Sequence, residues 1–96
     1  MATTLLSVQI IPSVKGNEDV IPYVDRAIEV IQKSGVKHQV NALNTTLEGE
    51  LPHLLEIVKD MNDAMIQAGC PRVMTQMTLY HNPEGASMDQ LTEKYR

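Results

Sequence analysis

Apolar and polar positions alternate from Thr4 to Ile11, with Leu6, Val8 and Ile10 on one side, and Pro12, Gly16 and Asn17 close the run. A β-branched run of period two is the pattern of a half-buried strand. The period then lengthens. In "DVIPYVDRAIEVIQKSG" the residues Val20, Val24, Ala27, Ile28 and Ile31 recur at helical spacing, which stacks them on one side of a helix. Asp19 is placed to cap its start, Pro22 falls in the first turn where no N–H is needed, and Gly35 suits the left-handed cap at its end. "KHQVNAL", Lys37 to Leu43, alternates again and predicts a second strand. Thr45 to Gly49, a third, follows so closely that only a tight antiparallel hairpin turning at Asn44 connects the two. From Leu51 onward Leu54, Leu55, Val58, Met61, Met65 and Ala68 follow the helical period, with Pro52 in the first turn and Gly69 at the end. "RVMTQMTLYH", Arg72 to His81, predicts a fourth strand, and "SMDQLTEKYR" a short closing helix capped by Ser87.

The order strand-helix-strand-strand-helix-strand, with right-handed crossovers, gives a four-stranded antiparallel sheet with two helices on one face. The fold class is therefore α+β, a ferredoxin-like βαββαβ sandwich with a short C-terminal helix, forming one domain over residues 1–96. The helix stripes are expected to bury Leu6, Val8, Ile10, Val40, Val73, Met77 and Leu79. The opposite face then carries Leu5, Ser7, Gln9 and Ile11, Gln39, Asn41 and Leu43, Thr46 and Glu48, and Met74, Gln76, Thr78 and Tyr80. A solvated face favours Lys, Glu and Arg, whereas this one presents neutral amides and hydroxyls among apolar residues, with Glu48 as its one carboxylate. Neutral hydrogen-bonding groups in apolar surroundings suit a surface that becomes buried and finds partners. Three readings stay open at this point: a subunit interface, a ligand site within such an interface, and plain exposure.

Composition narrows the partners. A chain of 96 residues without Trp or Phe and with three Tyr must fill its core with Leu, Ile, Val, Ala and six Met. Such a core is small, and oligomerisation would enlarge it. A net charge of −4 with interspersed signs offers no basic stripe for nucleic acid and no polybasic anchor for a membrane. "MATTLLSVQIIPSV" has no basic start and is too short to span a bilayer, so a cytoplasmic protein is expected. Cys70 is the single cysteine and reads as a small half-buried hydrophobe beside Pro71 rather than a reactive thiol. His38, His53 and His81 sit on different elements without metal-ligand spacing. No cysteine pair marks a metallochaperone, no Phe marks a base-stacking sheet, and "PSVKGNE" holds Lys15 where an acylphosphatase-like loop would need Arg. No nucleophile–base set is legible either, so no catalytic residues, metal or cofactor are assigned.

"SVQIIP", "TTLEGEL" and "GCPRVMTQMTL" together resemble the YkoF-like thiamine-binding family, first catalogued as a domain of unknown function. The likeness runs nearly the whole length: "SVQIIP" in the first strand, Ser34-Gly35 ending the first helix, and Thr45 with Leu47-Glu48-Gly49 in the hairpin. Arg72-Val73 opens the last strand, and "SMDQLTEKY" matches a Met-bearing terminal helix. Two positions depart from the family pattern: Asn62 stands where a helix-surface His is frequent, and Tyr80-His81-Asn82 where an Asp and Arg follow the last strand. The resemblance implies a non-enzymatic homo-oligomer, dimeric or tetrameric, that binds thiamine or its hydroxymethylpyrimidine part. Ser7, Gln9, Asn41, Thr45, Thr46, Glu48, Met74, Gln76 and Thr78 become its candidate ligand residues. The alternatives are a small dimeric monooxygenase-type enzyme of the same fold, with Asn41 and His38 near its substrate, and a purely structural or regulatory interaction module.

Overall fold

A computed structural model describes residues 2–14, 16 and 19–96; Lys15 and Asn17, placed above in the first loop, lie outside the described residues. Strand β1 spans Thr4–Ser13 and helix α1 Ile21–Ser34, followed by β2, Lys37–Val40, and β3, Thr45–Gly49. Helix α2 spans Leu51–Gln67, β4 Arg72–His81 and α3 Met88–Thr92, with a closing 3-10 turn at Glu93–Tyr95. The sheet order is β2-β3-β1-β4 with antiparallel neighbours throughout, the expected ferredoxin-like arrangement. β1 runs past Ile11 because β3 stops opposite Val8, so Pro12 has no ladder bond to supply on that side.

Several local signals act as read and others shift. Gly35 closes α1 at φ 74°, and the Ser87 hydroxyl accepts from the Gln90 N–H at 3.3 Å to cap α3. Asp19 sits one residue farther out than a true N-cap: Val20 holds that position, while the Asp19 carboxylate accepts from the Ile21 N–H at 3.0 Å. β2 is shorter than the alternation predicts. The Asn41 N–H donates to the Asn44 carbonyl at 2.8 Å and closes a turn over Ala42 and Leu43, leaving Leu43 79% exposed rather than on the sheet. Gly49 marks a close approach, since a Cβ there would stand 3.2 Å from Leu54 Cδ2 as the chain enters α2.

The core lies between the sheet and the two long helices. Leu6, Val8 and Leu47 meet Ala27 and Ile31 of α1 and Leu54, Ile57, Val58, Met61 and Met65 of α2, with Cys70 fully buried at the margin as a free thiol. Leu55 does not belong to this stripe. It is 39% exposed, because a step of about 100° per residue turns it away from the sheet once Leu54 faces inward, and Ile57 takes its place. Val40, Met77 and Leu79, expected beneath the helices, stay 48%, 48% and 44% exposed. Their facing is right, but Met77 and Leu79 lie on the edge strand β4, and Val40 ends the other edge strand beside an open cavity under α1.

Candidate functional site

Strand register assembles the uncovered face. Ser7 stands between Thr46 and Thr78, Gln9 beside Gln76, Leu5 between Glu48 and Tyr80, Ile11 beside Met74, and Gln39 opposite Thr46. Side chains directly opposite in a sheet share a face, so Ser7, Gln9, Thr46, Glu48, Met74, Gln76 and Thr78 form one surface. Thr45 does not join them. It pairs with Val8, is buried on the helix side, and lines a separate, mainly apolar cavity of about 220 Å³ between α1 and the sheet with Val24, Ala27, Ile28 and Met61. Neighbouring residues of a strand point to opposite faces, so Thr45 and Thr46 cannot belong to one wall.

Asn41 enters from the turn rather than from a strand. The Gln39 amide donates to Asn41 Oδ1 at 3.2 Å, Asn41 Nδ2 donates to Asn44 Oδ1 at 3.2 Å, and Asn44 Nδ2 donates to Ser7 Oγ at 2.9 Å. This chain of neutral hydrogen bonds holds the turn over the end of the open face. Below it, Ser7, Gln9, Leu43, Asn44 and the β4 run Thr75, Gln76, Met77 and Thr78 line a shallow cleft of about 650 Å³. A smaller cavity of about 190 Å³ lies alongside, between Gln39 and Thr46 on the sheet, Asn41 in the turn, and Met88, Leu91, Thr92 and Arg96.

That second cavity exists because α3 folds back over the face that alternation left bare. Leu5 packs with Ala86 and Met88 in a small cluster. Glu48 Oε1 accepts from the Met88 N–H at 2.8 Å, and Glu48 Oε2 lies 3.9 Å from Lys37 Nζ, which also bonds Asp89 of α3. The hydrogen bond from Lys37 to Asp89, reinforced by the Glu48 charge, raises the Lys37 amine above its ordinary value. Sequence reasoning missed Lys37 on this face, although its spacing of two from Gln39 carries the signal. It also missed Asn44 as a site residue and Glu48 as an anchor for α3, which no local pattern encodes.

The departures from the family pattern also find places. Asn62 donates to the Val58 carbonyl at 2.9 Å and accepts from the Thr75 hydroxyl at 2.8 Å, so it ties α2 to β4 rather than sitting idle on the helix surface. His81 Nδ1 lies 2.9 Å from the buried Thr4 hydroxyl, and the Asn82 side chain accepts from the Glu84 N–H at 3.1 Å to shape the exit turn. Among the described residues, no three of His, Cys, Asp or Glu converge as a metal site, and no helix is long and apolar enough to cross a membrane.

Fold and face define a small ferredoxin-like domain whose sheet carries a neutral, hydrogen-bonding surface. Residues 6–96 match the family described as thiamine-binding protein, and the chain belongs to that family. It is 38% identical over 96 residues to UPF0045 protein CPE1503 of Clostridium perfringens, covering 100% of both chains. Among solved structures it resembles a domain of unknown function, DUF77, from Bacillus cereus, at TM-score 0.93 and 41% identity, over 99% of this chain and 91% of that one. A Thermotoga maritima protein described as a candidate thiamine biosynthesis/salvage protein superposes at TM-score 0.88 with 29% identity, over 98% of this chain and 99% of the other.

Proposed function

We propose that the protein is a non-enzymatic, cytoplasmic binder of thiamine or its hydroxymethylpyrimidine part, holding the ligand on the open sheet face where a further copy of the chain covers it. The observation that carries this reading is the convergence of Ser7, Gln9, Gln76 and Thr78, with Asn44, on one cleft. An aminopyrimidine presents ring-nitrogen acceptors and an exocyclic amino donor, and amides and hydroxyls match both without introducing charge. Membership of the thiamine-binding family supports the same ligand. Glu48 supplies the face's negative charge toward a cationic thiazolium or an amino group. Its bond to Met88 and the Lys37 ammonium 3.9 Å from Oε2 use part of the carboxylate and leave its remaining acceptor positions for a ligand.

Titration calorimetry with thiamine and with hydroxymethylpyrimidine, followed by native mass spectrometry, tests the proposal. Saturable binding that Gln76→Ala and Ser7→Ala weaken, with the ligand recovered chemically unchanged from an oligomer, is the expected outcome. Absence of binding by either compound overturns the ligand assignment, and conversion of the ligand overturns the non-enzymatic one.

A further inference from the structure

A run of side-chain amides crosses the end of the open face, and its direction is fixed. Gln39 Nε2 donates to Asn41 Oδ1, Asn41 Nδ2 to Asn44 Oδ1, and Asn44 Nδ2 to Ser7 Oγ. Asn41 and Asn44 thus give with the nitrogen and receive with the oxygen, and the Asn44 side-chain carbonyl is turned back toward Asn41, away from Ser7. A serine hydroxyl carries one donor and two acceptor sites. Asn44 occupies an acceptor site, and among the described residues Ser7 makes no other side-chain hydrogen bond. Thr46 and Thr78 stand on either side of Ser7 in the register, yet neither hydroxyl bonds it. The Ser7 O–H is therefore left without an acceptor in the chain, in the cleft that Gln9, Asn44, Gln76 and Thr78 also line. Solvent meets its need while the cleft is open. A ligand that displaces solvent has to bring an acceptor of its own, because a covered hydroxyl proton without a partner costs the full desolvation of the group.

We infer that Ser7 is the specificity-determining donor of this cleft, and that Asn44 is the positioning residue that keeps the Ser7 proton available to a ligand. The class selected is a neutral heteroaromatic ring with an unprotonated nitrogen facing Ser7, a finer assignment that rests on the ligand proposed above. Such a nitrogen accepts and cannot donate, so it complements the hydroxyl. The same ring with C–H in place of that nitrogen keeps its shape but leaves the O–H unpaired. A site built to hydrogen-bond a polar group rejects an analogue lacking it far more strongly than an apolar pocket rejects a missing methylene. Asn44 acts through Ser7. Asn44→Asp keeps the acceptor for Asn41 Nδ2 but offers Ser7 only oxygens, so the hydroxyl donates into the turn and is withdrawn from the cleft. Asn44→Ala removes the amide without supplying an acceptor and leaves the hydroxyl free. Both keep the turn, whose closing bond from the Asn41 N–H to the Asn44 carbonyl is between main-chain groups.

NMR of the side-chain amides in the unliganded protein tests the direction of the run. The amide protons of Gln39, Asn41 and Asn44 should all show hydrogen-bonded shifts, and Ser7→Ala should release those of Asn44 while Gln39 and Asn41 keep theirs. A free Gln39 amide in the wild type, or Asn44 shifts indifferent to Ser7→Ala, would mean that the run points the other way and would overturn the inference alone. Calorimetry with hydroxymethylpyrimidine, and with its two analogues carrying C–H in place of one or the other ring nitrogen, tests the selection. These compounds lack the thiazolium, so the charge that Asn44→Asp introduces has no cation to act on. Wild-type protein should prefer the parent over one analogue by about tenfold or more. Ser7→Ala and Asn44→Asp should both lose that preference, whereas Asn44→Ala should retain it. Equal binding of all three compounds by the wild type, or an unchanged preference in Asn44→Asp, would overturn the inference. Equal loss of preference in Asn44→Ala and Asn44→Asp would overturn the role of Asn44. Failure of the wild type to bind hydroxymethylpyrimidine, with the amide shifts as expected, would overturn the proposed function and the ligand class resting on it, with the direction of the run intact.

Discussion

The two faces of the sheet come from the same strands and obey opposite rules. On the helix side Leu6, Val8 and Leu47 are packed against α1 and α2, and stability resides in apolar burial. On the other side Ser7, Gln9, Thr46, Gln76 and Thr78 interleave with Leu5, Ile11 and Met74, and only the α3 end is covered. One face is optimised for a single permanent partner within the chain. The other keeps hydrogen-bonding capacity in reserve, and an unmatched polar group there costs nothing while water reaches it. The comparison teaches that stability and recognition are separable here by residue parity along a strand.

Substitutions can break that separation, beginning with the largest effect. Leu54→Ala, at the centre of the helix-side core, should destabilise the fold by about 2–5 kcal/mol in a denaturant titration. Leu55→Ala, one residue along but turned outward, should cost about 1 kcal/mol or less; equal losses would show that the helix is rotated from the arrangement described.

Substitutions on the open face should reverse the balance between stability and binding. Glu48→Gln keeps shape and an acceptor for the Met88 N–H, so the fold should persist. A direct ligand contact would then appear as about 1–3 kcal/mol of lost thiamine affinity by calorimetry. Unchanged affinity would confine Glu48 to anchoring α3. Asn62→Ala removes the bond to the Thr75 hydroxyl on the helix side and should cost about 1 kcal/mol of stability with no change in ligand affinity.

The smallest effect concerns pH. Lys37 has its amine raised in the folded state, chiefly by its hydrogen bond to Asp89, so its contribution to holding α3 is complete below the ordinary value of 10.5. That contribution is lost only as pH rises through the higher folded value. Protection of the α3 amides should therefore be flat through neutral pH and fall only in strong alkali. A fall near neutrality would implicate another group.

Much of this was legible in advance, for a definite reason. Parity along a strand depends on backbone geometry alone, so Ser7, Gln9, Thr46, Glu48, Met74, Gln76 and Thr78 were placed on one face without knowledge of any contact. Thr45 entered the candidate set through the family resemblance and not through parity, which sets it opposite Val8 on the helix side. Leu55 was misassigned because Leu54 and Leu55 fit the helical period almost equally well, and only packing against the sheet sets the phase. Met77 and Leu79 faced the correct side, yet no one-dimensional pattern states how far a helix reaches across a sheet.

By itself, then, the sequence determined the elements, their order, the caps at Gly35 and Ser87, and the division of each strand into two faces. These depend on residues within a few positions of one another and on the periods of strand and helix. Only the tertiary structure decided what lies beyond that reach. It set the lateral order that leaves β4 at an edge, the turn of α2 that buries Ile57 in place of Leu55, the network from Gln39 through Asn41 and Asn44 to Ser7, and the folding of α3 onto Glu48 and Leu5. Most of these features join residues far apart along the chain, and the phase of α2 depends on the sheet it packs against. Their free energies exist only once the chain has closed on itself.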